Sequence, residues 1–316
     1  MIGAGWMGNA ISPDFQLCEG VELTALGSRD LGAGRVFAAE HGIPRVETVA
    51  ELLVDEGIDV IYIATPHHNH HELALAAIEA GRHVLVEKAF TTNSADAREL
   101  VLAARARGTF LMEAMWMRFN PSVLRVLELL RSGSIGEPRT LIASFGFPVP
   151  QDGGRLWDPS RAGGSLLDQG VYPLSLAQLV FGNPETVAAT GSPFDYSGDD
   201  IGVDSELAAV LGYRGGQQAV IASSIRTMLP LNAAIGGSEG MVELAEAFWS
   251  DTSYTLRRPD GSRETVVTQR EGNGYVPMLR AVREAVSSGW SEHPLCPLDD
   301  SVALMSTVDR VRAQLA

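Results

Sequence analysis

The chain has 316 residues, 45% hydrophobic and 20% charged, with a formal net charge of −15. That size supports two hydrophobic cores, the composition excludes a disordered chain, and the acidic balance speaks against a nucleic-acid partner, which calls for a basic face. Cys18 and Cys296 lie far apart with no CxxC motif, no apolar run reaches the ~20 residues of a membrane span, and no basic-then-apolar leader pattern is seen. The expectation is a cytoplasmic protein with a small-molecule partner, no nucleic acid and no membrane.

The first half alternates strand-like and helix-like segments. "GVELTALGS" (20–28) is rich in β-branched and apolar residues and ends in a turn signal, "GIDVIYIATP" (57–66) is nearly continuous apolar up to Ala64, and "GRHVLVEKAF" (81–90) reads as another buried strand, as suits parallel strands covered on both faces. Helical patterns lie between and after them: "GRVFAAEHG" and "HHELALAAIEAG" end on glycine, and "SADARELVLAARARG" starts at a Ser94 cap and closes on Gly108. Such alternation predicts a Rossmann doubly wound α/β domain over 1–118.

From residue 119 the pattern changes. A helix in "PSVLRVLELLRSG", a strand in "EPRTLIASFGF" and a long helix over 164–181 precede seven strand-like segments at 185–192, 204–213, 217–227, 231–236, 239–245, 253–258 and 263–268. Helices near 275–288 and 299–315 close the chain. The expectation for 119–316 is an α+β domain with a large, mostly antiparallel, open-faced sheet. The face left open by the helices calls for cover by a second copy, so a homodimer or homotetramer is expected.

"GAGWMG" places Gly3, Gly5 and Gly8 in G-x-G-x-x-G spacing ahead of a helix-compatible segment. Gly3 permits the tight turn, Gly5 lets the backbone approach a pyrophosphate, and Gly8 lets the helix pack close. The helix N-terminus, with Trp6 and Met7, then offers N–H groups and a positive dipole to phosphates. Only Met1 and Ile2 precede the loop, whereas a strand ordinarily has about 5–6 residues, so the natural chain is expected to start several residues earlier. At the end of the second strand stand Ser28 and Arg29, ahead of Asp30. A serine and an arginine suit a 2′-phosphate better than a free ribose hydroxyl, which points to NADP, with NAD as the alternative.

Ligands of open α/β sheets bind outside the carboxyl ends of the strands. Two such ends carry chemistry: "ATPHHNHHE", with Thr65, Pro66, His67 and His70, and "VEKAF", with Glu87 and Lys88. In "LLDQGVYPL", Asp168 and Tyr172 fall at i, i+4, on one face of a helix. An ammonium, a carboxylate and a phenol are a reasonable kit for alcohol–carbonyl interconversion at a nicotinamide.

On "GAGWMG", "IDVIYIATPHHNHHELALAAIEAGRHVLVEKAF" and "GGSLLDQGVYPL" the chain resembles the Gfo/Idh/MocA oxidoreductases over nearly its whole length. "EAMWMRFNP" and "LWDPSRAGGSLLDQGVYPL" look most like the branch with dimeric dihydrodiol dehydrogenases and NADP-dependent D-xylose dehydrogenases. The resemblance implies that Lys88 is the catalytic lysine of the E-K-P motif and that Asp168 and Tyr172 are the D-x-x-x-[HY] pair. It places Pro66 and His67 near the nicotinamide and ribose, makes His70 structural, and requires no metal. Two positions depart from the family pattern: Ala89 replaces the proline that takes a cis bond after the lysine, and Gln169 replaces a common isoleucine.

The expected activity is reversible hydride transfer between nicotinamide and a secondary alcohol or hemiacetal carbon of a sugar, polyol or trans-dihydrodiol. Tyr172 would be the acid/base, its ordinary pKa of about 10 lowered by the Lys88 cation, and Asp168 would position the substrate or Lys88. Trp116, Arg118, Phe119 and Trp157 are candidate pocket walls. The alternative is a non-catalytic dinucleotide-binding sensor or regulator of the same fold. A metal site at His67, His68, His70 and His71 is not expected, since adjacent rings rarely aim at one point.

Overall fold

The computed structural model describes residues 1–152, 154–194 and 202–315, with backbone only at 192–194. The chain forms two compact units, one of Met1–Trp116 with Glu271–Val302 and the other of Met117–Arg270 with Ala303–Ala316. Glu271–Val302, read on the sequence as part of the second domain, thus groups with the first unit.

The first unit opens with α1 (Trp6–Leu17), β1 (Ala25–Gly27), α2 (Leu31–His41), β2 (Arg45–Glu47) and α3 (Val49–Val54). β3 (Val60–Ile63), α4 (His70–Glu79), β4 (His83–Glu87), α5 (Ser94–Arg107) and β5 (Leu111–Ala114) follow. β1 pairs with β2, β3 with β4 and β4 with β5, all parallel. Ile2 joins the two groups by single parallel bridges to Gly27 and Ile63. β3 through β5 are buried almost throughout, which explains the apolar stretches Val60–Ile63 and Val84–Val86.

Two local readings change. The strand expected over 20–28 shrinks to Ala25–Gly27, the residues that lie beside β2 and Met1–Gly3. The cap of α5 is Asn93, whose side chain accepts from the Asp96 amide, and Ser94 is the first helical residue. A cavity of about 810 Å³, lined in part by Leu23, Val60, Tyr62 and Leu85, lies toward the amino-terminal ends of these strands. It is away from the carboxyl ends, where the candidate chemistry sits.

The second unit contains α6 (Pro121–Arg131), β6 (Pro138–Gly146), α7 (Val171–Phe181), β7 (Thr186–Phe194), β8 (Val203–Gly212) and β9 (Gln218–Ser224). β10 (Ala233–Gly237), β11 (Gly240–Leu244), β12 (Ser253–Arg257) and β13 (Arg263–Val267) complete its sheet. The eight strands run in the order β13-β12-β11-β10-β6-β9-β8-β7, antiparallel except for the parallel pair β6–β9. Burial alternates along β8 and β12, so one face is core and the other open. Val171–Gln178 of α7 are buried on all sides, and the helix packs against β6 and β9. On the open face Ala234, Ile142, Val220, Val210 and Ala188 stand in register across five strands.

The helix expected over 164–181 is not uniform. A π-helical turn, Leu166–Gly170, precedes α7. The half-buried Asp204 carboxylate, on β8, accepts the Leu166 amide at 2.5 Å and holds the turn at its start. Gly164 has φ +107°, and a Cβ there would meet Asp204 Oδ1 at 2.2 Å.

The chain ends with α8 (Val276–Ser287) and α9 (Leu298–Arg312). α8 packs against α1, and the buried Asp14 of α1 accepts the amides of Asn273 and Tyr275, each at 2.8 Å. No helix among the described residues is long and apolar enough to cross a membrane.

Candidate active site

In the first unit three loops gather at the carboxyl ends of the strands. The first is the glycine loop. Gly3 has φ +109° and its Cα lies so close to β3 that a Cβ would meet Ala64 O at 2.6 Å. Gly5 is the N-cap of α1, with open space where a Cβ would be, no side-chain cap and no acidic residue in the first turn. At Gly8 a Cβ would meet the Phe37 ring at 3.0 Å, so α1 and α2 approach closely there. The positive end of α1 is thus open to an anion. Trp6 is 77% exposed beside it, and the Tyr275 hydroxyl lies 4.0 Å from Met7 Sδ.

The second loop follows β1. Asp30 Oδ1 accepts the Gly32 and Ala33 amides and caps α2. Ser28 Oγ donates to Asp30 O at 2.7 Å. Arg29 is exposed and makes no ion pair among the described residues.

The third is the Lys88 strand end. Glu87 is buried; Tyr62 Oη donates to its Oε1, and the Lys88 amide donates to its Oε2 at 3.2 Å. Burial pushes the Glu87 carboxyl up to about 7, with the Tyr62 bond and the Lys88 charge opposing the rise. The Lys88–Ala89 peptide bond is cis. The Phe90 amide donates to Glu113 Oε1 at 3.1 Å, and Ser301 Oγ donates to Glu113 Oε2 at 2.8 Å.

His70 joins this end to the histidine loop. Its Nδ1 is 2.8 Å from Ala89 O and its Nε2 2.9 Å from Thr65 O, and burial pushes its pKa down to about 4. The His67 ring packs edge-on against it, with centroids 5.6 Å apart. His71 turns away to Glu99, His68 is exposed, and Pro66 caps the short 3₁₀ turn that leads into α4. The buried Thr65 hydroxyl has no hydrogen-bond partner among the described residues. An open helix N-terminus beside an orphaned hydroxyl fits a bound dinucleotide. Among the described residues no group of three or more His, Cys, Asp or Glu side chains could hold a metal ion.

The second unit carries Asp168 and Tyr172. Asp168 lies in the π-helical turn and Tyr172 at the start of α7. Arg155 Nη2 lies 2.6 Å from Asp168 Oδ1. Tyr172 is buried beside Phe145 and Trp249, with ring centroids at 5.5 and 5.7 Å, and those two rings stack 3.6 Å apart.

The chain matches two family models in sequence. Residues 1–115 match GFO_IDH_MocA, an oxidoreductase family with an NAD-binding Rossmann fold, and 123–243 match a GFO/IDH/MocA C-terminal domain. This chain is a member of the Gfo/Idh/MocA oxidoreductase family. The bovine (Bos taurus) trans-1,2-dihydrobenzene-1,2-diol dehydrogenase is 34% identical over 302 residues, which span 92% of this chain and 88% of that protein. The human enzyme (Homo sapiens) of the same name is 32% identical, with the same coverage of each chain. Among solved structures, KijD10, a 3-ketoreductase from Actinomadura kijaniata in complex with NADP and TDP-benzene, has a TM-score of 0.88 at 29% identity, covering 99% of this chain and 96% of its own. The aldose-aldose oxidoreductase of Caulobacter crescentus, complexed with glycerol, also has a TM-score of 0.88, at 26% identity and the same coverage.

In this Gfo/Idh/MocA oxidoreductase the aromatic and cationic candidates are placed differently from one another. Trp116 is buried against Tyr275, with centroids 4.5 Å apart. Phe119 is buried. Arg118 is 2% exposed, and its guanidinium donates to Ser175 and Gln178 of α7, so it is enclosed in the second unit. Trp157 is half-buried, with its indole donating to Val149 O at 3.1 Å. Sequence reasoning missed Tyr62, Glu113, Arg155, Asp204 and the Phe145–Trp249 stack. A buried acid within "LMEA" signals Glu113, because a charge in a covered strand needs a partner. The others depend on long-range packing.

Proposed function

We propose that this oxidoreductase is an NADP-dependent dehydrogenase/reductase that interconverts a secondary alcohol or hemiacetal carbon and its carbonyl on a sugar, polyol or trans-dihydrodiol, with NAD as a weaker alternative. The reading rests chiefly on the Lys88 strand end, where a buried Glu87 takes hydrogen bonds from Tyr62 and the Lys88 amide, together with an α1 N-terminus without a side-chain cap. The bound nicotinamide supplies the hydride acceptor.

Gly3, Gly5, Trp6, Met7 and Gly8 hold the pyrophosphate, and Ser28 and Arg29 the 2′-phosphate. Thr65, Pro66, His67, His70 and Glu87 line the nicotinamide side with Lys88. Residues 1–118 carry the dinucleotide, and 119–316 carry the substrate and the subunit interface. Tyr172 takes the hydroxyl proton as the C–H bond gives up its hydride, Lys88 supplies the positive charge that favours a phenolate, and Asp168 orients the substrate. Trp116, Phe119 and Trp157 form apolar walls, with Arg118 beneath α7. The exposed apolar row through Ile142, Val220 and Val210 supports a homodimer or homotetramer closed over the sheet, and two buried cysteines that form no disulfide support a cytoplasmic setting.

The test is NADPH and NADH formation with aldoses, polyols, inositols and arene dihydrodiols, repeated with Lys88→Met and Tyr172→Phe. Each variant is expected to lose at least about 100-fold in kcat. Full activity in both, or no turnover of any substrate by the unaltered enzyme, overturns the reading.

A further inference from the structure

Three consecutive residues at the Lys88 strand end have their backbone held by buried side chains. The Lys88 amide donates to Glu87 Oε2, Ala89 O lies 2.8 Å from His70 Nδ1, and the Phe90 amide donates to Glu113 Oε1 at 3.1 Å. Glu87 and His70 belong to the coenzyme side of the site. Glu113 has no part in the expected chemistry.

Glu113 lies in β5, where all four residues are buried, and is itself 1% exposed. Its strand neighbours Leu111, Met112 and Ala114 are apolar. A carboxyl group in such a strand gives up its water and is tolerated where hydrogen bonds replace it. Both oxygens are engaged: Oε1 takes the Phe90 amide, and Oε2 takes the Ser301 hydroxyl at 2.8 Å. Ser301 lies in the first turn of α9. The segment before it is fastened to β5 as well, since the Leu111 amide donates to Ser291 O and Cys296 Sγ lies 3.6 Å from Glu113 O. All of these residues belong to the first unit. Ala89, Phe90 and Thr91 are fully buried, so the Phe90 amide cannot turn to water instead. Lys88 is the single lysine among 24 lysine and arginine residues. The only ε-ammonium of the chain thus stands two residues before the amide that Glu113 grips.

We propose that Glu113 is a positioning residue for Lys88. By fixing the Phe90 amide, and being fixed in turn by Ser301, it sets where the backbone leaves β4 and so where the Lys88 ammonium stands. This rests on the reading of Lys88 as the ammonium of the nicotinamide site. A misplacement of ~1 Å at a reacting centre lowers the rate about 100-fold, whereas a purely structural carboxyl group would affect stability and leave the ammonium in place.

Because the lysine is unique, its side chain can be watched alone. Protein labelled with carbon-13 at lysine gives one Cε signal by NMR. It is read with and without NADP for the unaltered protein, Glu113→Ala, Glu113→Gln and Ser301→Ala, with urea midpoints alongside. The two Hε protons of a lysine held in one orientation differ in chemical shift, and those of a freely turning one coincide. In NADP-loaded Glu113→Ala they are expected to converge, and in Ser301→Ala to move part of the way. Glutamine keeps one oxygen for the Phe90 amide and offers an N–H to Ser301 Oγ, so Glu113→Gln should match the unaltered signal. NADPH formation from D-xylose should follow the same order, with kcat down about 10- to 100-fold in Glu113→Ala and the KM for NADP within about threefold. A Lys88 signal unchanged in both alanine variants overturns the proposal, whatever their urea midpoints. So does a Glu113→Gln signal that matches Glu113→Ala. If Glu113→Ala does not fold, Ser301→Ala and Glu113→Gln decide by the same criteria, and the signal decides if D-xylose is not turned over. If NADP does not move the Lys88 signal of the unaltered protein, the nicotinamide-site reading falls, and the comparison without NADP still decides whether Glu113 positions Lys88.

Discussion

His70 Nδ1 lies 2.8 Å from the carbonyl oxygen of Ala89, so the residue after Lys88 is held by a ring rooted in the neighbouring loop. The other ring nitrogen faces Thr65 O at 2.9 Å. A neutral imidazole donates only one hydrogen bond, so a protonation change here alters how two strand ends are joined.

Burial pushes His70 from 6.5 down to about 4. Between those values the unfolded chain holds a proton that the folded chain lacks, so stability falls as pH drops through this window, by about 3 kcal/mol in all. Burial pushes Glu87 from 4.5 up to about 7. There the folded chain keeps a proton that the unfolded chain has lost, so stability falls as pH rises, by about as much. The two slopes oppose each other across pH 4.5 to 6.5. His70→Gln should expose the falling slope alone and Glu87→Gln the rising one, in urea midpoints taken at half-unit pH steps. Parallel profiles for all three proteins would refute the assignment.

Arg29→Ala should raise the KM for NADP about 10- to 100-fold by removing a charge-assisted contact to the 2′-phosphate. The KM for NAD should stay within about threefold, because Asp30 is engaged in capping α2. Steady-state kinetics with both coenzymes check this, and equal shifts for the two would count against a 2′-phosphate contact.

Asp204→Ala leaves the Leu166 amide without its acceptor. The cost should be about 1–3 kcal/mol, with a drop in kcat as the turn bearing Asp168 loosens. Asp204→Asn keeps an acceptor and should recover most of both. Chemical denaturation and turnover measured side by side test it; loss of stability with kcat intact would confine Asp204 to folding.

Val220→Lys places a charge in the middle of the exposed apolar row, in register with Ile142 and Val210. If this row is the subunit contact, sedimentation velocity is expected to show a dimer or tetramer for the unaltered protein and monomers for the variant. An unchanged sedimentation coefficient would put the subunit contact elsewhere.

Much of the architecture was legible because it depends on patterns that local sequence carries. The apolar runs around Ile61 and Leu85 could only be covered parallel strands, and the seven segments after residue 185 all became strands of one sheet. Glu87 and Lys88 stood out as candidates because a strand end is where an α/β sheet presents chemistry. What stayed hidden was set by distant partners. The π-helical turn follows from Asp204 gripping Leu166, and nothing within 164–181 announces it. β2 and α3 are three and six residues long, too short for periodicity, although the Thr48–Glu51 capping box marks the helix. Arg155 looked like one arginine among many until its turn was folded against Gly163.

Because Asp14 of α1 takes its two amide donors from Asn273 and Tyr275, a ribosome that has made only the first 116 residues has not yet supplied them. The nucleotide-binding half therefore completes its packing late in synthesis, after the whole sheet of the other half has emerged. A gene truncated at residue 270 would encode every strand of both sheets and still leave that aspartate buried against nothing, or rehydrated in a loosened helix.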